Sequence, residues 1–378
     1  MNLSQIPSPC FVLEEKLLLN NLRLLKQVQE RAGVRIILAL KGYAMYSTFP
    51  TVKQYLAGAT ASSLNEARLI FEEMGCKAHT YSPLYLESDM PEILRYSSHL
   101  TFNSWNQYER FKDRVNAYPE KISMGIRINP QYSEVATDLY NPCVPGSRLG
   151  IIRTQLPDKL PVDIEGLHFH TLCENDSYTL ERTLKAMEER FSDLLYQVKW
   201  LNLGGGHLMT RKDYNIEHLI GVLQGLKERN PHLEIIMEPG SAIGWQTGYL
   251  VSTVQDIIDS QGIMVAMLDV SFTAHMPDTL EMPYKPRIWN SYHEPVDGKP
   301  TYRMGGMTCL AGDFMGDYSF DHELKIGDKI VLDDMIHYTM VKTTTFNGVP
   351  LPSIGIWQTD ETFRLVKKFG YETYKDRL

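Results

Sequence analysis

Four features of this 378-residue chain have residue types and spacing suited to chemistry. Lys41 ends an apolar run in "ILALKGYA". A lysine there is ordinarily a solvated side chain, but in a confined mouth desolvation lowers its pKa and makes its amine a nucleophile toward a carbonyl. His168 and His170 in "GLHFHTLC" are two residues apart and share one side of a strand. They can be a packed pair, a metal-binding pair, or contribute one imidazole to the face of a flat aromatic ligand. Gly204, Gly205 and Gly206 in "LNLGGGH" lie between an apolar run and the helically spaced "DYNIEHLIGVLQGLKERN". Such a turn is either merely tight or a cradle of bare N–H groups for an anion, above all a phosphate. Glu238 ends "LEIIME", where burial would demand a cationic partner.

These residues need strands to place them, and the chain supplies eight. The apolar runs span 34–40, 58–61, 78–81, 99–102, 121–129, 162–170, 199–203 and 233–238. Helical segments such as "SLNEARLIFEEMG" (63–75) lie between most of them. The alternation predicts an α/β fold, a (β/α)8 TIM-type barrel over residues 12–245, with chemistry at the C-terminal strand ends and a phosphate site after strands seven and eight. The glycine triplet follows the seventh run, so Gly205→Val is expected to weaken anion binding far more than folding. Residues 130–161 form a long Pro- and Gly-containing excursion after the fifth run. Beyond 245 the texture changes to strand-like runs, "GYLVSTVQDII", "GIMVAMLDVS", "KPTYRMGGMTCLAGD", "KIGDKIVLDD" and "YTMVKTTTFNG". These predict a mostly β domain built from residues 1–11 and 246–378.

Composition narrows the setting. The chain is 43% hydrophobic and 22% charged with a formal charge of −8, which argues for a folded globular protein and against a nucleic-acid surface. Five scattered cysteines without a CxxC pair suggest neither a disulfide framework nor a zinc cluster, and a cytoplasmic setting is expected. No run of 18 apolar residues predicts a membrane span.

Gathered at one barrel mouth, a lysine amine, bare amides, an imidazole and a carboxylate are the partners of pyridoxal 5′-phosphate: aldehyde, phosphate, ring face and ring nitrogen. With these residues in place the chain resembles the pyridoxal-phosphate decarboxylases of the alanine-racemase fold, from about residue 9 to 357. The resemblance implies that Lys41 is the Schiff-base lysine, Glu66 in "ASSLNE" an acid near it, and His170 the ring-stacking histidine. It likewise makes Gly204, Gly205 and Gly206 the phosphate turn and Glu238 the partner of the pyridine nitrogen. Farther on, "TCLAGD" matches the family's Cys-x-x-x-Asp, implying Cys309 as the general acid and Asp313 as a substrate ligand. Tyr338 is implied as a phosphate ligand and Phe346 as a lining of the substrate site. In the family the Cys and Asp come from the neighbouring subunit, which implies a homodimer with shared active sites.

Departures narrow the subgroup. "HTLC" puts Cys173 where the family has a phosphate-binding serine, and Ser241 follows "EPG" where a basic residue is usual. The stretches "PGSRLG", "GLHFHTLCEN" and "LDVSFTAHMPDTLEMPYKPRI" resemble a polyamine-forming branch, so the expected substrate is a small carboxylated polyamine. Its ammonium groups call for carboxylates, with Asp278, Glu281 and Asp313 as candidates. Arg148 has no assigned role. Diaminopimelate, ornithine and arginine are rival substrates. A metal-dependent hydrolase using His168 and His170 is the reading from another class, and a non-catalytic regulator of the same fold is a third.

Overall fold

The computed structural model describes residues 2–281 and 283–378. The chain divides into two compact units, Asn21–Ile243 and a second that joins the residues up to Asn20 to Gly244–Leu378.

The first unit is a parallel barrel. All eight apolar runs form its strands, in the order they occur. The first run closes the ring by dividing its bonds. Arg35–Ile36 pairs with the last strand, Glu234–Met237, and Leu38–Ala39 pairs with the second, Ala59–Ala61. The remaining strands are Ala78–Tyr81, Ser97–Phe102, Ser123–Arg127, Ile164–His168 and Trp200–Asn202. Inside, Trp200 occupies the space that two strand glycines leave empty. A Cβ on Gly125 or Gly166 would lie 2.2 or 1.9 Å from its indole. Its Nε1 donates to Ser123 Oγ at 2.9 Å.

Local chemistry sets the helix boundaries. Ser63 caps the helix Leu64–Leu69 by accepting from the Glu66 amide, and Gly75, at φ 66°, ends the wider turn that follows. The fifth crossover has only two short 3-10 turns, Asp138–Tyr140 and Arg153–Gln155, among the described residues. Its excursion is held by asparagines instead: Asn103 Oδ1 accepts from Gly150 N and Tyr81 OH, and Asn103 Nδ2 donates to the Arg148 carbonyl.

The second unit is a mixed sheet organised on one long strand, Gly248–Ser260. One half of that strand pairs with Cys10–Glu14 and Lys329–Asp333, the other with Ile263–Leu268, across a bulge between Val254 and Asp256. Ile6, Cys10, Val12, Tyr249, Val251 and Val331 form a core there. Burial pushes the Cys10 thiol up to about 12, so this cysteine is packing rather than chemistry. Two sequence readings are corrected here. The segment "YTMVKTTTFNG" is not a strand but the helix Tyr338–Lys342 and a following turn. Its β-branched run is overridden by bonds such as Thr344 N to Ala274 O at 2.7 Å. A strand also exists at Phe314–Phe320, where Gly316 and Asp317 hide the apolar pattern.

Candidate active site

In the barrel unit, Lys41, His170, the glycine turn and Glu238 stand just beyond four strand ends. Gly42 and Gly240 bring the first and last of these together, since a Cβ on Gly42 would meet the Ser241 nitrogen at 2.6 Å. Lys41 is exposed, so the desolvation expected of it is not supplied by this unit's own atoms. Its charge is felt by Glu66, His170 and Cys173, which places all three around it. Burial raises the Glu66 carboxyl, while the Ser62 amide at 2.6 Å and the Lys41 charge oppose the rise. Glu66 therefore serves the start of its helix as well as facing the lysine. Burial raises the Cys173 thiol too, with Glu174 adding to the rise and Lys41 opposing it.

Burial holds the His170 imidazole well below its usual pKa, and the Lys41 and Arg127 charges act in the same direction. The ring accepts from Gly205 N at its Nδ1, 2.8 Å away, so the proton of the neutral ring sits on Nε2. Gly204 N donates to Asn202 Oδ1 at 2.9 Å. Two of the three glycine amides are thus engaged within the protein, and among the described residues only the Gly206 N–H of the triplet lacks an acceptor. The turn is also tighter than a flexible cradle. Gly204 and Gly206 have φ of 68° and 84°. A Cβ on Gly205 would lie 2.5 Å from the Glu238 carbonyl, and one on Gly206 2.1 Å from that of Leu172. Backbone occupies the space of a side chain at Gly205, so Gly205→Val is expected to disturb folding as well as binding.

Glu238 is 9% exposed and burial pushes its carboxyl up to about 6. Asn202 Nδ2 donates to Oε1 at 2.7 Å, and Thr60 and the Arg127 charge also favour the anion. Arg127, buried at the C-terminal end of the fifth strand, was missed because the apolar run continues to residue 129 and hides where the strand ends. Its guanidinium lies 4.7 Å over the Tyr81 ring and donates to the His170 carbonyl at 3.0 Å. The signal was a lone charge in the apolar run "GIRIN".

In the sheet unit the expected residues fall into two linked groups. Asp313, 5% exposed, accepts from Phe272 N, Thr273 N, Thr308 N and Thr308 Oγ1 at 2.7, 3.1, 2.9 and 2.6 Å. Its carboxylate ties the start of the helix Phe272–His275 to the loop that carries Cys309. The Cys309 thiol is exposed, and its amide donates to Asn347 Oδ1 at 2.9 Å, which brings the half-exposed Phe346 alongside. In the second group, the helix Tyr338–Lys342 is fastened to Asp278–Glu281 by Thr339 Oγ1 to Asp278 Oδ2 at 2.7 Å and by the Lys342–Glu281 ion pair. Tyr284 OH also donates to Asp278 Oδ2, whereas Oδ1 is buried without a partner. Glu281 is exposed and spent on Lys342.

A parallel barrel with an amine, a neutral imidazole, a glycine turn and a buried carboxylate at its strand ends, carried in one chain with a mixed sheet, is the framework of the alanine-racemase-fold pyridoxal-phosphate enzymes. Residues 11–336 match the family described as pyridoxal-dependent decarboxylase, C-terminal sheet domain, and the chain belongs to that family. It is 52% identical to a carboxyaminopropylagmatine decarboxylase of Synechocystis sp., over 100% of this chain and 96% of that one. It is 42% identical to a carboxynorspermidine/carboxyspermidine decarboxylase of Campylobacter jejuni, over 99% of each. A crystal structure of carboxynorspermidine decarboxylase complexed with norspermidine, also from Campylobacter jejuni, matches with a TM-score of 0.91 at 40% identity, covering 99% of this chain and 100% of that one. The protein is a pyridoxal-dependent decarboxylase. The barrel residues fit the cofactor: Glu238 is a buried acid in want of a cation, and the Gly206 amide is in want of an acceptor. Among the described residues no helix is long and apolar enough to cross a membrane.

Proposed function

We propose that the substrate is a carboxylated polyamine, carboxynorspermidine or carboxyspermidine, from which the enzyme releases CO2 to leave norspermidine or spermidine. The observation that carries this reading is full-length likeness to an enzyme of that name, at 42% identity. The bare buried oxygen of Asp278 supports it, being a ready partner for one tail ammonium. Diaminopimelate, whose far end carries a carboxylate beside its ammonium, would gain less there. Glu281 contributes only by exchanging Lys342 for substrate, and Asp313 holds the Cys309 loop rather than the tail.

When bound, pyridoxal phosphate would supply an electron sink for the decarboxylation. Lys41 would provide the amine that holds the cofactor aldehyde, and His170 would back the ring. Glu238 would keep the ring nitrogen protonated. The Gly206 amide would hold the phosphate, and family likeness implies Tyr338 as a further phosphate ligand. Cys309 delivers a proton to the substrate α-carbon as general acid. The working unit is a homodimer in which Cys309 serves the neighbour's barrel. Its exposed thiol and the exposed Met307, Leu310 and Phe314 beside it in sequence suit a surface that a second copy covers. The five unpaired cysteines suit a reducing cytoplasm.

A second reading rests on the 52% identity to carboxyaminopropylagmatine decarboxylase, whose named substrate ends in a guanidinium rather than an ammonium. CO2 release from carboxynorspermidine, carboxyspermidine, carboxyaminopropylagmatine, diaminopimelate and ornithine separates the two. The highest kcat/KM is expected on the first two. A clear preference for the third replaces the first reading with the second, and turnover confined to diaminopimelate or ornithine removes both.

A further inference from the structure

The two histidines of "HFH" have different tasks. His170 is committed to the glycine turn through Nδ1. His168, only 2% exposed, points to the carboxylate: its Nε2 lies 3.7 Å from Glu238 Oε2 and is buried without a hydrogen-bond partner. That separation is beyond a hydrogen bond and too short for a bridging water. Glu238 is unevenly served: Asn202 is close on Oε1, the Thr60 side chain also favours the anion, and the unpaired imidazole is nearest to Oε2. A buried carboxylate asked to remain an anion needs donors on both oxygens.

The other charged and titratable groups around the pair do not fill this gap. Arg127 directs its guanidinium to the His170 carbonyl and the Tyr81 ring. Tyr81 presents its ring edge-on to His168 at 5.2 Å and gives its hydroxyl proton to Asn103. His170 is turned to Gly205. Burial, with the Arg127 charge, keeps His168 neutral, so it brings a donor to Glu238 without adding a second charge.

We propose that His168 is a positioning residue for Glu238: its Nε2–H closes onto Oε2 as the second donor when a cationic ligand group faces the carboxylate. The strand ends at His168, and His170, two residues farther on, takes a separate partner. The cofactor assignment enters only where cofactor affinity is measured, and the substrate assignment not at all.

The test uses the full-length protein, cofactor-free and pyridoxal-phosphate-loaded, with His168→Gln, which keeps a donor near the Nε2 position, and His168→Leu, which removes it. Carbon-13 NMR of side-chain-labelled glutamate, assigned by Glu238→Gln, follows ionisation without cofactor, and fluorescence titration gives the cofactor Kd. In His168→Leu the cofactor-free Glu238 midpoint should stay close to the parent value while the cofactor Kd weakens about tenfold, and His168→Gln should stay within about threefold of the parent Kd. An unchanged Kd in His168→Leu overturns the proposal, as does equal weakening in both variants, which would mark a packing role. Nitrogen-15 NMR of histidine in the unsubstituted loaded protein needs no folded variant. Nε2 should carry the proton, and a lone pair there overturns the proposal.

Discussion

Glu238 in the barrel unit and Asp313 in the sheet unit are both buried carboxylates, 9% and 5% exposed, and they live in opposite circumstances. Asp313 has four N–H or O–H donors from its own unit, all within 3.1 Å. Glu238 has Asn202 close on one oxygen, Thr60 as a further side chain that favours the anion, and an imidazole beyond hydrogen-bond reach. A saturated carboxylate has nothing left to offer a ligand and becomes scaffold. An undersupplied one keeps part of its binding capacity and is costly until a ligand arrives. Asp278 stands between them, with two donors on one oxygen and none on the other.

The contrast is broken most directly at Asp313. Removing it in Asp313→Ala orphans four donors and should cost the sheet unit about 4 kcal/mol in urea unfolding, with Asp313→Asn recovering part of the loss. If instead Asp313→Ala keeps its stability and only raises KM, Asp313 is a ligand residue and the comparison collapses.

Acid sharpens it next. In the barrel unit His99 and His207 are lowered to about 4 by burial, and His79, His168 and His170 are also depressed. Within the sheet unit His275 is lowered to about 4. A histidine whose folded pKa is depressed contributes stability above its ordinary value of 6.5 and loses it as pH falls through the folded value. His99 and His207 should each cost the cofactor-free protein about 3 kcal/mol between neutrality and acid. Hydrogen exchange should show the barrel strands opening before the sheet strands, and the reverse order would refute the assignment.

Glu238→Gln is expected to do less and in the opposite direction. A carboxyl raised to about 6 against its ordinary 4.5 destabilises the fold above that window, since the unfolded chain gives up its proton first. The glutamine variant should be about 2 kcal/mol more stable than its parent at pH 7.5 without cofactor, while binding pyridoxal phosphate more weakly. Calorimetry and cofactor titration on the same samples check both halves, and a variant that is less stable contradicts the account of Glu238.

The smallest change in stability is expected at Asp278→Asn, within about 1 kcal/mol, because Thr339 and Tyr284 retain an acceptor. Its effect should fall on KM for a cationic tail. Equal KM for the variant and its parent would detach Asp278 from the substrate.

Much of this was legible in the chain. The eight barrel runs, Lys41, His170, Gly204–Gly206 and Glu238 could be read because strand periodicity and position at a strand end are local properties. The short helix at Tyr338–Lys342 could not, because bonds to the 274–281 segment outweigh the β-branched residues that follow it. Arg127, Asn202 and Asn103 escaped for a related reason. Their roles are defined by partners such as Glu238, 36 residues from Asn202, and Arg148, 45 residues from Asn103.

The order of elements, the chemical kinds of residue at the barrel mouth and the family likeness were thus determined by sequence alone. Tertiary structure decided which carboxylate is scaffold and which is poised for a ligand, and which glycine amide remains for an anion. It also decided that the triplet is bare because the backbone carbonyls of Glu238 and Leu172 stand where side chains would be. Residue type specifies what a group can bind. Only the arrival of donors and neighbours from distant parts of the chain settles whether that capacity is already used.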